Sequence, residues 1–119
     1  MIQKHTYLVP VDKCGVYWVM VFHLYNGFNQ RITYTGRFVK ASVKLTKPEN
    51  LLRRKTKLRS FIIRTKKFYR KIDSSNIVFF FNGGVLLKKR LTPRGKEIYG
   101  SILYNIKRKK FINSFVMRL

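Results

Sequence analysis

Phe38-Val39-Lys40-Ala41-Ser42-Val43-Lys44-Leu45 is the stretch on which the fold turns. In an extended chain Val39, Ala41, Val43 and Leu45 fall on one side and Lys40, Ser42 and Lys44 on the other, with Phe38 at the start. That period of two marks a half-buried antiparallel strand, here with a cationic outer face. Pro48 ends it. Upstream, residues 16–24 read as a second strand, with Trp18, Met20, Phe22 and Leu24 on one face and Tyr17, Val19, Val21 and His23 on the other. Residues 6–11 are apolar, but Pro10 lacks the N–H that a ladder needs, so they form an edge or interrupted strand. Asp12-Lys13-Cys14-Gly15, Asn26-Gly27 and Thr35-Gly36-Arg37 read as turns.

Downstream, Phe61-Ile62-Ile63 is a short buried strand enclosed by cations. The surrounding residues 53–71 read as a hairpin or ribbon, with an apolar centre anchored in the core and basic arms reaching out. Asp73-Ser74-Ser75-Asn76 is a turn, and residues 77–81 and 85–87 are short strands broken at Asn82-Gly83-Gly84. Ile98, Ile102 and Ile106 recur at spacing four with Leu103 beside them, which predicts a helical stripe. Lys107, Arg108, Lys109 and Lys110 would sit at the negative end of that helix dipole. Residues 111–117 fit a short helix or a strand equally well. Many short strands with polar turns, and helix only at the end, predict a mainly β fold: a small antiparallel barrel with C-terminal helices. The chain is one domain over residues 1–119, with the barrel about 1–90 and the helical appendage about 98–117.

Charge sets the function class. Twenty-seven Lys and Arg stand against four acidic residues in 119, a net charge of +23. Such a field repels itself and needs a polyanion to cancel it. Hydrophobic residues make up 45% and aromatics 15%, too many for a disordered basic tail, so a folded core carries the positive coat. Nucleic acid is the expected partner, because neutralising phosphates releases counterions. Residues 53–71 hold ten cations in nineteen positions and no acid, which points to RNA or DNA contact there. The single cysteine, Cys14, rules out an internal disulfide, and His5, His23 and Cys14 do not have metal-ligand spacing. No metal and no cofactor are expected. No apolar run approaches the roughly 20 residues of a membrane span, and no secretory signal or Arg/Ser-rich presequence is evident.

Catalysis fits poorly. Asp12, Glu49, Asp73 and Glu97 all fall in predicted turns or loops, where they form turns, cap or relieve charge. His23 reads as a packed or RNA-facing side chain. Cys14 has Lys13 beside it, which favours a lowered thiol pKa, but no base is near. Gly83-Gly84 lacks the lysine and hydroxyl residue of a phosphate loop. Phe79, Phe80 and Phe81 are consecutive, so at least one points away from the core toward a base or another protein. Phe68 and Tyr69, set among Lys66, Lys67, Arg70 and Lys71, are the stronger stacking candidates.

Together these residues resemble one family: the universal large-subunit ribosomal protein number fourteen. Met1-Ile2-Gln3 resembles the family's opening, and Asp12, Gly15, Val19-Met20 and Gly27 its Asp-Asn-Ser-Gly turn, following strand and next glycine. Arg31, Gly36, Lys40, Lys44 and Pro48 continue in register. Arg64-Thr65-Lys66-Lys67 is the most specific string, followed by Asp73, Phe79, Asn82, Val85-Leu86-Leu87, Ile98-Tyr99-Gly100 and Lys110-Phe111. Departures include Asn50, Lys55, Phe68 and Ser74 where the family has glycine, and Arg37, Leu45 and Lys109 where it has acids.

The resemblance implies a closed five-stranded barrel with a projecting basic ribbon and short C-terminal helices. It implies a non-catalytic constituent of the large ribosomal subunit that binds its rRNA, packs against neighbouring ribosomal proteins and bridges to small-subunit rRNA. It is not expected to be a free homo-oligomer or to bind membrane. The expected RNA-binding set is Arg31, Lys40, Lys44, Arg53, Arg54, Lys55, Arg64, Lys66, Lys67, Arg70 and Lys71. The side facing the small subunit, carried over from the family, holds Lys47, Glu49, Lys107, Arg108, Lys109 and Lys110. A wealth of Lys, Phe, Ile, Tyr and Asn, encoded by AT-rich codons, and the lack of a presequence suggest an organelle-encoded mitochondrial member, with a plastid or AT-rich bacterium as alternatives. Outside ribosomes, the same charge would suit an architectural protein that compacts DNA or RNA, or a membrane-active protein with a basic amphipathic helix.

Overall fold

The computed structural model describes residues 1–25, 27–67, 69–95, 97–103, 106 and 115–118. Five strands close a barrel in the order β1–β2–β3–β4–β7: β1 (Tyr7–Pro10), β2 (Val16–Leu24), β3 (Phe38–Thr46), β4 (Lys57–Arg64) and β7 (Gly83–Leu87). Four seams are antiparallel. The closing one, β1 to β7, is parallel, with Val9 opposite Gly83 and Pro10 opposite Gly84. A ring of five alternating strands must bring two of like direction together, so an odd barrel cannot be antiparallel throughout. Pro10 is tolerated because the β1–β2 ladder stops at Leu8 opposite Val19. Val9 and Val11, on either side of the proline, supply the N–H groups that reach Asn82 and Gly84 across the closing seam.

β3 alternates as the sequence predicts: Val39, Ala41 and Val43 are buried while Lys40, Ser42 and Lys44 are only partly covered. Leu45 departs from the expectation and is half exposed, opposite an equally exposed Trp18. The reason lies in β2, which slips register at Val16/Trp18, Trp18/Val19 and Val21/His23. Each bulge shifts the facing of the residues that follow. The interior set of β2 is therefore Val16, Val19, Val21 and Leu24, not either of the two expected faces.

There are two cores. Inside the barrel, Ile2, Leu8, Val19, Val21, Val39, Val43, Ile62 and Leu86 pack together with their neighbours. Outside it, Phe61, Ile63, Val85 and Leu87 form a second cluster with Val11, Ile98, Ile102, Leu103 and Ile106. β7 and the second half of β4 are thus buried on both faces, which explains why Phe61-Ile62-Ile63 and Val85-Leu86-Leu87 show no polar alternation. Gly84 belongs to the inner layer by necessity: a Cβ there would lie 2.6 Å from Ser60 Oγ.

The segment predicted to start a helix is strand at its described beginning. β8 (Ile98–Ile102) pairs in parallel with β9 (Phe115–Arg118). Its other side is tied to the barrel by the Tyr99 N–H to Val11 carbonyl bond and an Asp12–Ile98 bridge. Spacing four is an even number, so Ile98 and Ile102 share a face in a strand as they would in a helix, and both are buried. The end of that expected helix, with Lys107, Arg108, Lys109 and Lys110, lies outside the described residues. The open reading of 111–117 resolves to strand at 115–118. Among the described residues no helix is long and apolar enough to cross a membrane.

Candidate nucleic-acid interface

The ten-cation stretch 53–71 is not one ribbon. Its apolar centre is β4, which runs through the barrel wall, so its basic arms emerge at opposite ends of that strand. At about 3.3 Å per residue, the seven steps from Lys57 to Arg64 separate the two ends by about 23 Å. At one end Arg53, Arg54 and Lys55 are exposed on the turn before β4, where Lys55 takes a φ of 66° and the Thr56 hydroxyl donates to the Arg53 carbonyl at 2.7 Å. At the other end Lys66 and Lys67 are exposed just past β4.

The projecting ribbon itself is β5 (Tyr69–Arg70) paired with β6 (Asn76–Ile77). Arg70 and Lys71 lead into its turn, which Asp73 holds by accepting from the Ser75 hydroxyl at 2.6 Å and the Ser75 N–H at 3.1 Å. Those bonds hold the Asp73 carboxyl below its ordinary pKa.

Arg64 stands apart from the set predicted to touch RNA. It is 6% exposed. Its Nε donates to the Ser101 carbonyl at 3.0 Å and a terminal nitrogen donates to the Tyr99 carbonyl. The guanidinium also lies 5.4 Å from the Phe81 ring centroid. Between the two accepting residues sits Gly100, at φ +80°, where any Cβ would collide with the Arg64 guanidinium. Arg64 therefore fastens the outer strand β8 to the barrel, with its Nε–H and a terminal N–H given to backbone carbonyls.

A cationic groove that the sequence reading missed lies on the outer face of β3, β4 and β7. Its walls carry Lys40, Lys57, Arg59, Lys88, Lys89 and Arg94, and no acid lines it. Lys40 and Arg59 are direct cross-strand partners, as are Ser42 and Lys57. Like charges set directly opposite one another destabilise a free sheet. Arg94 Nε is buried without a partner. The sequence signal was present in Lys57-Leu58-Arg59-Ser60, an alternation that points both cations outward, but it was hidden inside a longer basic run.

The remaining candidates are spread out. Arg31 is exposed beside Lys4, Gln3, Asn29 and Gln30 in a shallow hollow. Lys44 is half-buried on the outer face of β3. Lys47 and Glu49 border a second hollow with Lys13, Cys14, Asn50 and Tyr99. Asn50 braces that hollow, donating to the Cys14 carbonyl at 2.6 Å and the Thr46 hydroxyl at 3.0 Å. Lys13 forms an ion pair with Glu97 and lies 5.5 Å over the Tyr99 ring. Lys107, Arg108, Lys109 and Lys110 lie outside the described residues.

None of the groups weighed for catalysis forms a reactive set. Asp12 is buried, its Oδ2 accepts the Gly95 N–H at 3.1 Å, and burial pushes its pKa up. Burial and the nearby Asp12 carboxylate push the Cys14 thiol up to about 12, opposite to the lowering that Lys13 suggested. His23 packs edge-on against Tyr25 with ring centroids 4.9 Å apart. No group of three or more His, Cys, Asp or Glu among the described residues could hold a metal ion.

The closed five-stranded barrel is the arrangement the sequence resemblance implied, whereas β8 stands where the helical appendage was expected to begin and the rest of that appendage lies mostly outside the described residues. The profile of the family described as Ribosomal protein L14p/L23e matches residues 1–117. This chain belongs to that family. A curated relative, the large ribosomal subunit protein uL14m of Tetrahymena pyriformis, is 50% identical over 115 residues, covering 97% of each chain. The L14p/L23e chain is thus a structural constituent of the large ribosomal subunit, and its family is a structural one, not a family of enzymes.

Proposed function

We propose that this L14p/L23e member is held on large-subunit rRNA of the mitochondrial ribosome by phosphate neutralisation at three places on one rigid barrel. These are the turn with Arg53, Arg54 and Lys55, the far end with Lys66, Lys67, Arg70 and Lys71, and the groove between them. Arg31 and Lys44 add peripheral contacts. The observation that carries the reading is the groove: six cations line it with no acid, and Lys40 is set opposite Arg59. In the free chain this arrangement is repulsive, and a phosphate backbone laid along the groove reverses the sign. The barrel's part is to fix the backbone that carries Lys40, Lys57 and Arg59, so that only side-chain freedom is lost there on binding. The Tetrahymena relative, a uL14m protein of the mitochondrial type, supports the mitochondrial setting.

The hollow bordered by Lys47 and Glu49, together with residues 107–110, would face small-subunit rRNA, with neighbouring ribosomal proteins packed around the barrel. Lys13 already neutralises Glu97 beside that hollow, which lessens local repulsion of an approaching phosphate. Sedimentation of the tagged chain in a mitochondrial lysate tests the reading. It should travel with the large-subunit peak and with whole ribosomes. A ribosome-free pool bound to DNA would refute it.

A further inference from the structure

The exposed ring of Phe80 is not accounted for by the phosphate contacts. Four large apolar side chains among the described residues are more than nine-tenths exposed: Phe28, Leu51, Ile72 and Phe80. Two of them are aromatic, and of those only Phe80 is flanked on both sides by residues packed into a core. Phe79 and Phe81 both insert against the outer cluster, and Arg64 lies over the Phe81 ring. The backbone at Phe80 is therefore pinned while its ring, 96% exposed, projects into solvent. Two residues on, Asn82 accepts the Lys66 N–H on its side-chain oxygen at 2.9 Å, and its carbonyl takes the Val9 N–H at 2.9 Å. The segment bearing Phe80 is thus sewn to the Lys66–Lys67 turn, among the most basic surfaces of the chain.

A lone exposed apolar side chain needs no explanation by itself. An exposed aromatic ring on a pinned backbone beside exposed cations is a different object, because it has the two parts of a single-strand nucleic-acid platform: a charge track and a stacking surface. We propose that Phe80 stacks on an unpaired base of the large-subunit rRNA whose flanking phosphates are held by Lys66 and Lys67. This inference rests on the rRNA-binding reading above and adds a contact that does not depend on charge. Phe68 lies outside the described residues, whereas the Phe79-Phe80-Phe81 triplet presents its middle ring.

The test uses the full chain and an in vitro transcript of the mitochondrial large-subunit rRNA, titrated across a range of salt concentrations. Stacking of one base predicts that Phe80→Ala weakens binding about 5- to 150-fold with the slope against log salt unchanged. Phe80→Leu should be equally weak, since leucine keeps apolar contact but cannot stack. Phe80→Trp should retain affinity, and its added indole emission should be quenched on binding beyond any change from Trp18. Wild-type affinity in Phe80→Ala or Phe80→Leu, or no added quenching in Phe80→Trp, would overturn the proposal and point to a protein neighbour for this ring. A wild-type chain that does not bind the transcript would sink the rRNA reading itself and this contact with it.

Discussion

Replacing Arg64 by Ala separates the structural reading of this residue from the RNA-contact reading. The wild-type side chain is almost fully buried and makes two charge-assisted bonds to carbonyls of β8, one at 3.0 Å to Ser101 and one to Tyr99. Hydrogen bonds to charged groups contribute about 1.5–3 kcal/mol each. Losing both, with some rehydration of the freed carbonyls, should cost about 3 kcal/mol, and at about 4 °C per kcal/mol for a domain of this size Tm should fall by about 12 °C. Arg64→Lys should recover about half, because one ammonium cannot reproduce a fork that reaches two carbonyls. The assay is thermal unfolding of the free chain, combined with the salt dependence of rRNA binding measured well below Tm. The slope should match wild type, since no phosphate contact is lost. An Arg64→Ala variant that is as stable as wild type, and whose slope falls by about one contact, would refute the reasoning.

Other consequences follow from the same geometry. Lys40→Gln relieves the repulsion with Arg59, so the free chain should gain about 0.5 kcal/mol while rRNA affinity falls and the salt slope drops by about 0.7–0.9; a loss of both stability and affinity would count against the groove. Gly84→Ala places a methyl 2.6 Å from Ser60 Oγ inside the barrel and should lower stability by about 1–3 kcal/mol in chemical denaturation, where an unchanged midpoint would contradict the packing. The Cys14 thiol, pushed up to about 12 from 9.0, should hold about a thousandfold less thiolate in the native chain than in the unfolded one below pH 9. Alkylation at pH 8 followed by mass spectrometry should therefore report unfolding, and rapid labelling of the native chain would contradict it.

Much of this architecture is legible in the residues, and where it is not the reason is physical. Residues 38–44 alternate, and β3 keeps regular pairing with β4 from Phe38 opposite Phe61 to Ser42 opposite Lys57. Residues 16–24 mislead because bulges are a property of the ladder and leave no composition signal in one strand alone. Ile98 and Ile102 suggest a helix because a spacing of four satisfies both periods, and only the pairing with β9 and residues 11–13 decides between them. Arg64 reads as surface because it stands among exposed cations, yet a register slip between Ile62 and Arg64 turns it toward β8. The hint was Gly100, whose missing Cβ leaves the space that the guanidinium fills. The groove was obscured for the opposite reason: its cations come from β3, β4 and the segment after β7, so no single stretch of sequence contains them.

The central claim is that the outer-face groove lies against rRNA phosphates. Lysine acetylation of intact large subunits, compared with the free chain and read by mass spectrometry, tests it most directly. The account predicts that Lys40, Lys57, Lys88 and Lys89 react in the free chain and are protected in the subunit. Equal acetylation of those four lysines in both states would contradict it.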